Sequence, residues 1–427
     1  MSELDVTWVL VAGVLVMFMQ AGFACLEIGF SRGKNAGTVV AKVLINFATV
    51  SLAWWLAGFA LAFGGDGWFA GTSGFFLSIG HVLGEGSPIP GPLDGAGSAF
   101  AFFQLVFCAV SLAIVWGTTL ERVRFIAYPL YGVVFAALIY PLMAHWIFGG
   151  GLLSDIGDGM QDFAGSTVVH LTGATGGLAA LLLLGPRRGK YAPDGTPRAI
   201  PGHSMPLFGL GVLILWLGWF GFNGGSTLGT DGNRFAEVIF VTNLAAAAGV
   251  VGAAVTVTLM VGRLDVGMVG NGAVAALVAI TAPSGFVEFW AAPIIGLVAG
   301  VLVVVSVLAI DRVLDDPVGA LSAHGIAGIW GTLSCGLFAS PRLIEAAGLP
   351  GRPGLVYNGS FEQLGVQALG VAIAFVVVFT LSYVTFGAIK ATVGLRVTPD
   401  EEREGLDIVE HGMYGYPEQF IAAGEPD

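Results

Sequence analysis

Two histidines stand inside long apolar runs, His170 in STVVHLTGATGG and His324 in LSAHGIAGIWG. An ionisable side chain in such a run is a functional candidate by default, because hydrocarbon offers its charge no partner. A single buried histidine would be read more plainly as a neutral ring tying two helices together by one hydrogen bond. Two of them at matching places in a repeat reverse that preference. Dry surroundings favour imidazole over imidazolium, and two neutral rings can share one proton while offering polar contacts to a small ligand. A second group is aromatic: Phe103, Phe107, Trp219 and Phe222 lie beside polar Gln104, Asn223 and Ser226. Aromatic faces attract a cation by about 0.5–2 kcal/mol, which suits a site that must both bind and release. The chain has 30 phenylalanines, so most are core or lipid-facing, and spacing alone does not single these out.

Other polar residues in apolar surroundings have plainer readings. Asp162 stands where a helix N-cap belongs, a role worth about 1 kcal/mol. Glu27 lies five residues before Arg32, near the end of the first apolar run, where snorkelling or pairing is expected. His81, His145, His203 and His411 fall near run ends or in connections and receive no chemistry. Cys25, Cys108 and Cys335 are single residues in apolar runs and read as small hydrophobes. The histidines have no nearby third ligand or nucleophile–base set, and the chain has no GxxxxGK[ST] loop. No metal, cofactor or enzyme chemistry is expected.

The elements that hold these residues follow from composition. The chain has 427 residues, 56% hydrophobic and only 11% charged, with a mean hydropathy of +0.84. A water-facing domain carries about 25% charged residues, so a chain this poor in charge belongs in lipid. Its 66 glycines serve close helix approach there, where packing drives association. A span needs about 20 apolar residues. That rule predicts helices near 6–30, 39–64, 98–120, 125–148 and 163–185, then 204–223, 235–262, 266–282, 288–311, 319–339 and 362–390. The acidic Met1–Asp5 start and the length of the run behind it do not fit a cleavable signal.

Basic residues set the orientation. With the N-terminus outside, all 17 lysines and arginines except Arg234, Arg342 and Arg352 fall on the cytoplasmic side. The polar, proline-rich connection from Gly185 to His203 divides ten spans into five and five. Five is odd, so the halves face opposite ways, the inverted-repeat plan that places a pathway at the repeat interface. The fifth and tenth spans then correspond and share the histidine and nearby small residues. The net charge of -12 is concentrated in the tail, which by composition is a solvated, disordered end. It gives no reason to expect nucleic acid as a partner.

Seven segments in order resemble the Amt/Mep/Rh family of ammonium transporters, on its Amt branch. They are RGKN from Arg32, FQLVF from Phe103, the Glu121-Arg122 pair, DFAGSTVVH from Asp162, GWFGFNGGS from Gly218, DDPVGALSAHG from Asp315 and GLDIVEHG from Gly405. The resemblance implies an all-α integral membrane fold of eleven transmembrane helices, an inverted 5+5 repeat plus a final long helix. Residues 1–394 form the transmembrane domain, with repeat halves at about 6–185 and 204–339, and 395–427 a cytoplasmic tail. It implies a plasma-membrane homotrimer with one pore per subunit and ammonium, ammonia or methylammonium as substrate. It also implies a regulatory tail able to meet a PII-type signalling protein. By position, His170 and His324 match the family's twin pore histidines. Phe107, Phe222 and Ser226 match its external cation site and phenyl gate, with Phe103, Trp219 and Thr281 beside them. Asp162 matches a residue that orients backbone near that site. Phe148 departs from a frequent tryptophan, which weakens the cation–π contact, and Glu27 departs from a frequent tyrosine. The alternative reading on the same fold is a membrane ammonium sensor with little flux.

Overall fold

The computed structural model describes residues 1–65, 67–77 and 95–420. His81 and the acids Glu425 and Asp427 lie outside the described residues. Eleven apolar helical segments run through the body: α1 Glu3–Phe30, α2 Gly33–Phe63, α3 Gly95–Thr118, α4 at 127–147, α5 Ser166–Leu184, α6 Met205–Gly225, α7 Arg234–Val261, α8 Val266–Thr281, α9 Ala291–Ile310, α10 at 321–338 and α11 Glu362–Thr392. Among the described residues nine helices are long and apolar enough to cross a membrane. With α8 and α10 the arrangement is consistent with the eleven expected spans. The boundaries agree with the hydropathy reading to a few residues, except at α2, which begins earlier because RGKN forms its first turn.

The first helices of the two halves, α1 and α6, pack along each other. Small residues make that approach possible. A Cβ at Gly29 would lie 2.6 Å from the Phe208 nitrogen, and one at Gly221 would lie 2.7 Å from the Ala12 carbonyl oxygen. α5 packs between α3 and α11, and α10 lies against α8 and α11. The first turns of α5 and α10 meet in the middle.

Loops on the face that carries the tail are joined by buried charges. Arg187 donates to Asp315 at 2.8 Å and lies 3.5 Å from Glu121, which also accepts from Arg32. Arg122, fully buried, donates to the carbonyls of Gly185, Leu120 and Asp315. Burial alone would push the Asp315 carboxyl up, but hydrogen bonds from Arg187 and the charges of Arg122 and Arg187 hold it down at about 2.

The acidic tail is folded through residue 420, contrary to the disordered end that its composition suggests. Leu395 and Val397 pair with the α3–α4 connection, and short helices Pro399–Glu404 and Leu406–His411 follow. The docking point is the start of α2, whose first amides have no partners within the helix. Buried Asp407 accepts from the Gly37 amide at 2.9 Å, the Thr38 amide at 2.7 Å and the Thr38 hydroxyl at 3.0 Å. Asn35 Oδ1 accepts from the Leu406 amide, and Glu410 from the Phe125 amide.

Two expectations follow. Gly29→Val drives a side chain into the α6 backbone, an overpacking cost of about 1–3 kcal/mol. Its thermal midpoint in detergent should fall below that of Gly209→Ala, where no atom lies within 4 Å of the added Cβ; equal midpoints would contradict the packing account. Asp407→Ala orphans α2 amides whose bonds to a carboxylate are worth about 1.5–3 kcal/mol each. Limited proteolysis should then cut the tail faster and leave the helical body intact, and unchanged cleavage would contradict the docking.

Candidate functional site

The first turns of α5 and α10, Ser166–Leu171 and Leu321–Ile326, are wound as π-helix. Such turns occur mostly as single-turn insertions in α-helices, frequently at functional sites; α2 and α4 carry two more, at Trp54–Gly58 and Phe135–Ile139. Both open with one device. The sequence runs Asp162, Gly165, His170 in one half and Asp316, Gly319, His324 in the other, at identical spacing. Gly165 has φ +116 and Gly319 φ +73, a left-handed turn open to glycine. That turn swings each aspartate across the helix start. Asp162 Oδ1 accepts from the Gly165 and Ser166 amides at 2.8 and 2.9 Å, and Oδ2 from the Thr167 and Val168 amides at 2.9 and 3.1 Å. Asp316 Oδ2 accepts from the Leu321 amide at 2.7 Å. The repeated D-x-x-G-x-x-x-x-H spacing is present in the sequence, and sequence reasoning missed it, and with it Asp316.

Neighbouring helices then fix the turn. Ser166 Oγ donates to the Val278 carbonyl and accepts from the Ala282 amide, both at 2.7 Å. Thr167 and Thr332 hydroxyls meet at 2.7 Å, and Ser111 Oγ donates to the Val169 carbonyl. In this frame His170 and His324, both buried, place their Nδ1 atoms 3.2 Å apart with rings tilted by 20°. At that distance one Nδ1 donates and the other accepts. Among the described residues His170 Nε2 has no hydrogen-bond partner.

Aromatic rings continue the line on the side of the N-terminus. His170 stacks on Trp219 at 5.3 Å and on Phe222 at 5.5 Å. Trp219 Nε1 donates to Thr281 Oγ1 at 2.9 Å, which accounts for the threonine's place in the set. Phe222 stacks on Phe107 with centroids 4.0 Å apart, and Phe107 touches Phe103 at 4.6 Å. Ser226 ends α6 one turn above Phe222. Its hydroxyl donates to the Phe222 carbonyl, leaving the oxygen free to accept. Phe148 ends α4, partly buried against the core, and among the described residues its ring does not stack on this set. Phe23 faces His324 on the other side, with centroids 6.4 Å apart, and there a small cavity begins. Elsewhere, His145 bonds the Ala62 carbonyl and His203 the Ser31 carbonyl.

Apolar spans around a buried column of aromatic rings and two facing imidazoles define a multi-pass membrane protein. The Ammonium Transporter Family model matches residues 7–416, and the chain belongs to that family. It is 45% identical over 425 residues to ammonium transporter Amt2 of Archaeoglobus fulgidus, covering 97% of this chain and 88% of that protein. Among solved structures, a sensor Amt protein superposes with a TM-score of 0.87 at 37% identity, over 96% of this chain and 98% of that one. Saccharomyces cerevisiae Mep2 superposes at 0.84 with 30% identity, over 100% and 94%. The family is one of transporters and not of enzymes.

Removing the Asp162 carboxylate leaves four buried amides without acceptors, so Asp162→Ala should lower the unfolding midpoint strongly. Asp162→Asn keeps one oxygen and two of the four bonds, and should fall in between. Equal midpoints for the two variants, measured in the same detergent, would contradict the capping role.

Proposed function

We propose that the chain is a plasma-membrane ammonium transporter that takes ammonium from outside, strips its proton and passes ammonia through a dry passage. The observation that carries this reading is the His170–His324 pair, its Nδ1 atoms 3.2 Å apart at the foot of the aromatic column. Potassium resembles ammonium in size and charge, so size alone cannot separate them. Ammonium can shed its charge. With an aqueous pKa of about 9, deprotonation near neutral pH costs roughly 3 kcal/mol at 1.36 per unit. Carrying a full charge through a water-poor tube costs several kcal/mol or more. Neutralisation is the cheaper route, and potassium has no access to it.

In this reading ammonium waits outside Phe107 and Phe222, held by aromatic faces and the Ser226 oxygen, with Phe103 and Phe148 around the approach and Trp219 further in, against His170. Phe148 is a weaker cation–π partner than tryptophan, so recruitment is modest. The stacked Phe107 and Phe222 rings must part for each molecule. The twin histidines then offer a neutral polar midpoint, and the proton follows along them, so transport carries charge. Methylammonium is an alternative substrate. The N-terminus lies outside and the tail inside, three chains form a homotrimer, and the role is nitrogen uptake. The docked tail is the regulatory element and the surface for a PII-type signalling protein. The likeness to a protein named as a sensor supports a second reading, ammonium sensing on the same fold with little flux.

Electrical recording on proteoliposomes separates these readings. Ammonium should evoke a current and potassium none. His170→Ala with His324→Ala should erode that discrimination while leaving the protein folded. Equal currents for the two ions would sink the transport mechanism, and ammonium binding without current would favour the sensor.

A further inference from the structure

A buried carboxylate ordinarily collects several donors, as Asp162 does with four amides. Glu27 does not. Its side chain is 1% exposed and forms an ion pair with Lys42 of α2, itself 2% exposed. Beyond that ammonium group, neither carboxylate oxygen has a hydrogen-bond donor among the described residues. Lys42 Nζ likewise has no carbonyl or hydroxyl acceptor. A purely structural ion pair would be expected to recruit such partners, because desolvation penalises each unsatisfied group.

The place of the pair supplies a use. Glu27 lines the cavity that begins under His324, whose wall is otherwise apolar except for Asn271. The apolar lining includes Phe23, Leu26, Val274 and Val318. The space is small, with room for about one water-sized molecule. Asn271 donates to the Val318 carbonyl, which turns its own carbonyl oxygen free as an acceptor. The ionisable groups that face Glu27 are His324 from α10 and Lys42 from α2; α3 presents Gly117 and α8 presents Asn271.

We propose that Glu27 is the inner proton station of the passage, where ammonium re-forms in the cavity between His324 and the Glu27–Lys42 pair. The proton that leaves the imidazole pair bonds to a Glu27 oxygen, giving a carboxylic acid and releasing Lys42 from its partner. Ammonia arriving past His324 takes that proton with its lone pair. The products are ammonium, held between the restored carboxylate and the Asn271 oxygen, and a Glu27 free to pair with Lys42 again. Nothing is oxidised or reduced, and one proton enters and leaves the carboxyl in each cycle. This deepens the transport reading and rests on it.

The test uses the full chain in proteoliposomes, with wild type in the same recordings. Glu27→Gln together with Lys42→Met removes both charges and keeps similar volume, a replacement that is often neutral for stability. The double variant should keep the wild-type unfolding midpoint and lose ammonium-evoked current by about a hundredfold or more, the scale of a lost acid–base group. A current within about twofold of wild type would make the pair structural and overturn the proposal. Should the double variant fail to assemble, Glu27→Asp keeps the charge and withdraws the carboxylate from the cavity by one methylene. Its current should also fall at an unchanged midpoint, and an unchanged current would again overturn the proposal. If wild type itself carries no ammonium current, the transport reading fails first, which distinguishes that failure from this one.

Discussion

Helices that begin inside a lipid-spanning body expose amides that water cannot reach, and each unsatisfied group there costs several kcal/mol. The rest of the structure depends on how α5 and α10 meet that constraint. A glycine with positive φ turns the chain, and an aspartate three residues before it reaches across the helix start. The helix can then open midway through the body as a π turn, with a histidine eight residues after the aspartate. Doing this twice, in opposite directions, brings His170 and His324 face to face. Asp162 spends both oxygens on backbone amides and Asp316 spends one.

The two ends of the column of rings are built differently. On the side of the N-terminus, stacked Phe107 and Phe222 close the column and Trp219 braces His170, its own N–H held by Thr281. On the tail side the wall opens into a cavity and meets a buried ion pair. The docked tail adds a link, since Asp407 caps α2, the helix that also carries Lys42.

Much of this was legible in the sequence, for physical reasons. Apolar runs of span length have no other stable home, so the helices could be placed within a few residues. The isolated histidines were conspicuous because charge is so scarce around them. Pairing was one of two readings for Glu27, and the structure supplies Lys42 as the partner. Lys42 itself carried no signal, because its partner lies in another helix. The repeat of aspartate, glycine and histidine was present but was masked by the different residues between them. The folding of the tail was not legible, since acidic composition predicts solvation and the docking depends on amides of α2 brought near by the fold. Winding as π-helix leaves no mark in residue types at all.

The central claim is that His170 and His324 are a neutral pair sharing a proton between their Nδ1 atoms. Nitrogen NMR of histidine-labelled protein in lipid bilayers at neutral pH reads this directly. The account predicts two neutral rings, one with a protonated Nδ1 and the other with a bare Nδ1, coupled to each other. An imidazolium at either position, or two rings whose Nδ1 atoms both lack a proton, would contradict it.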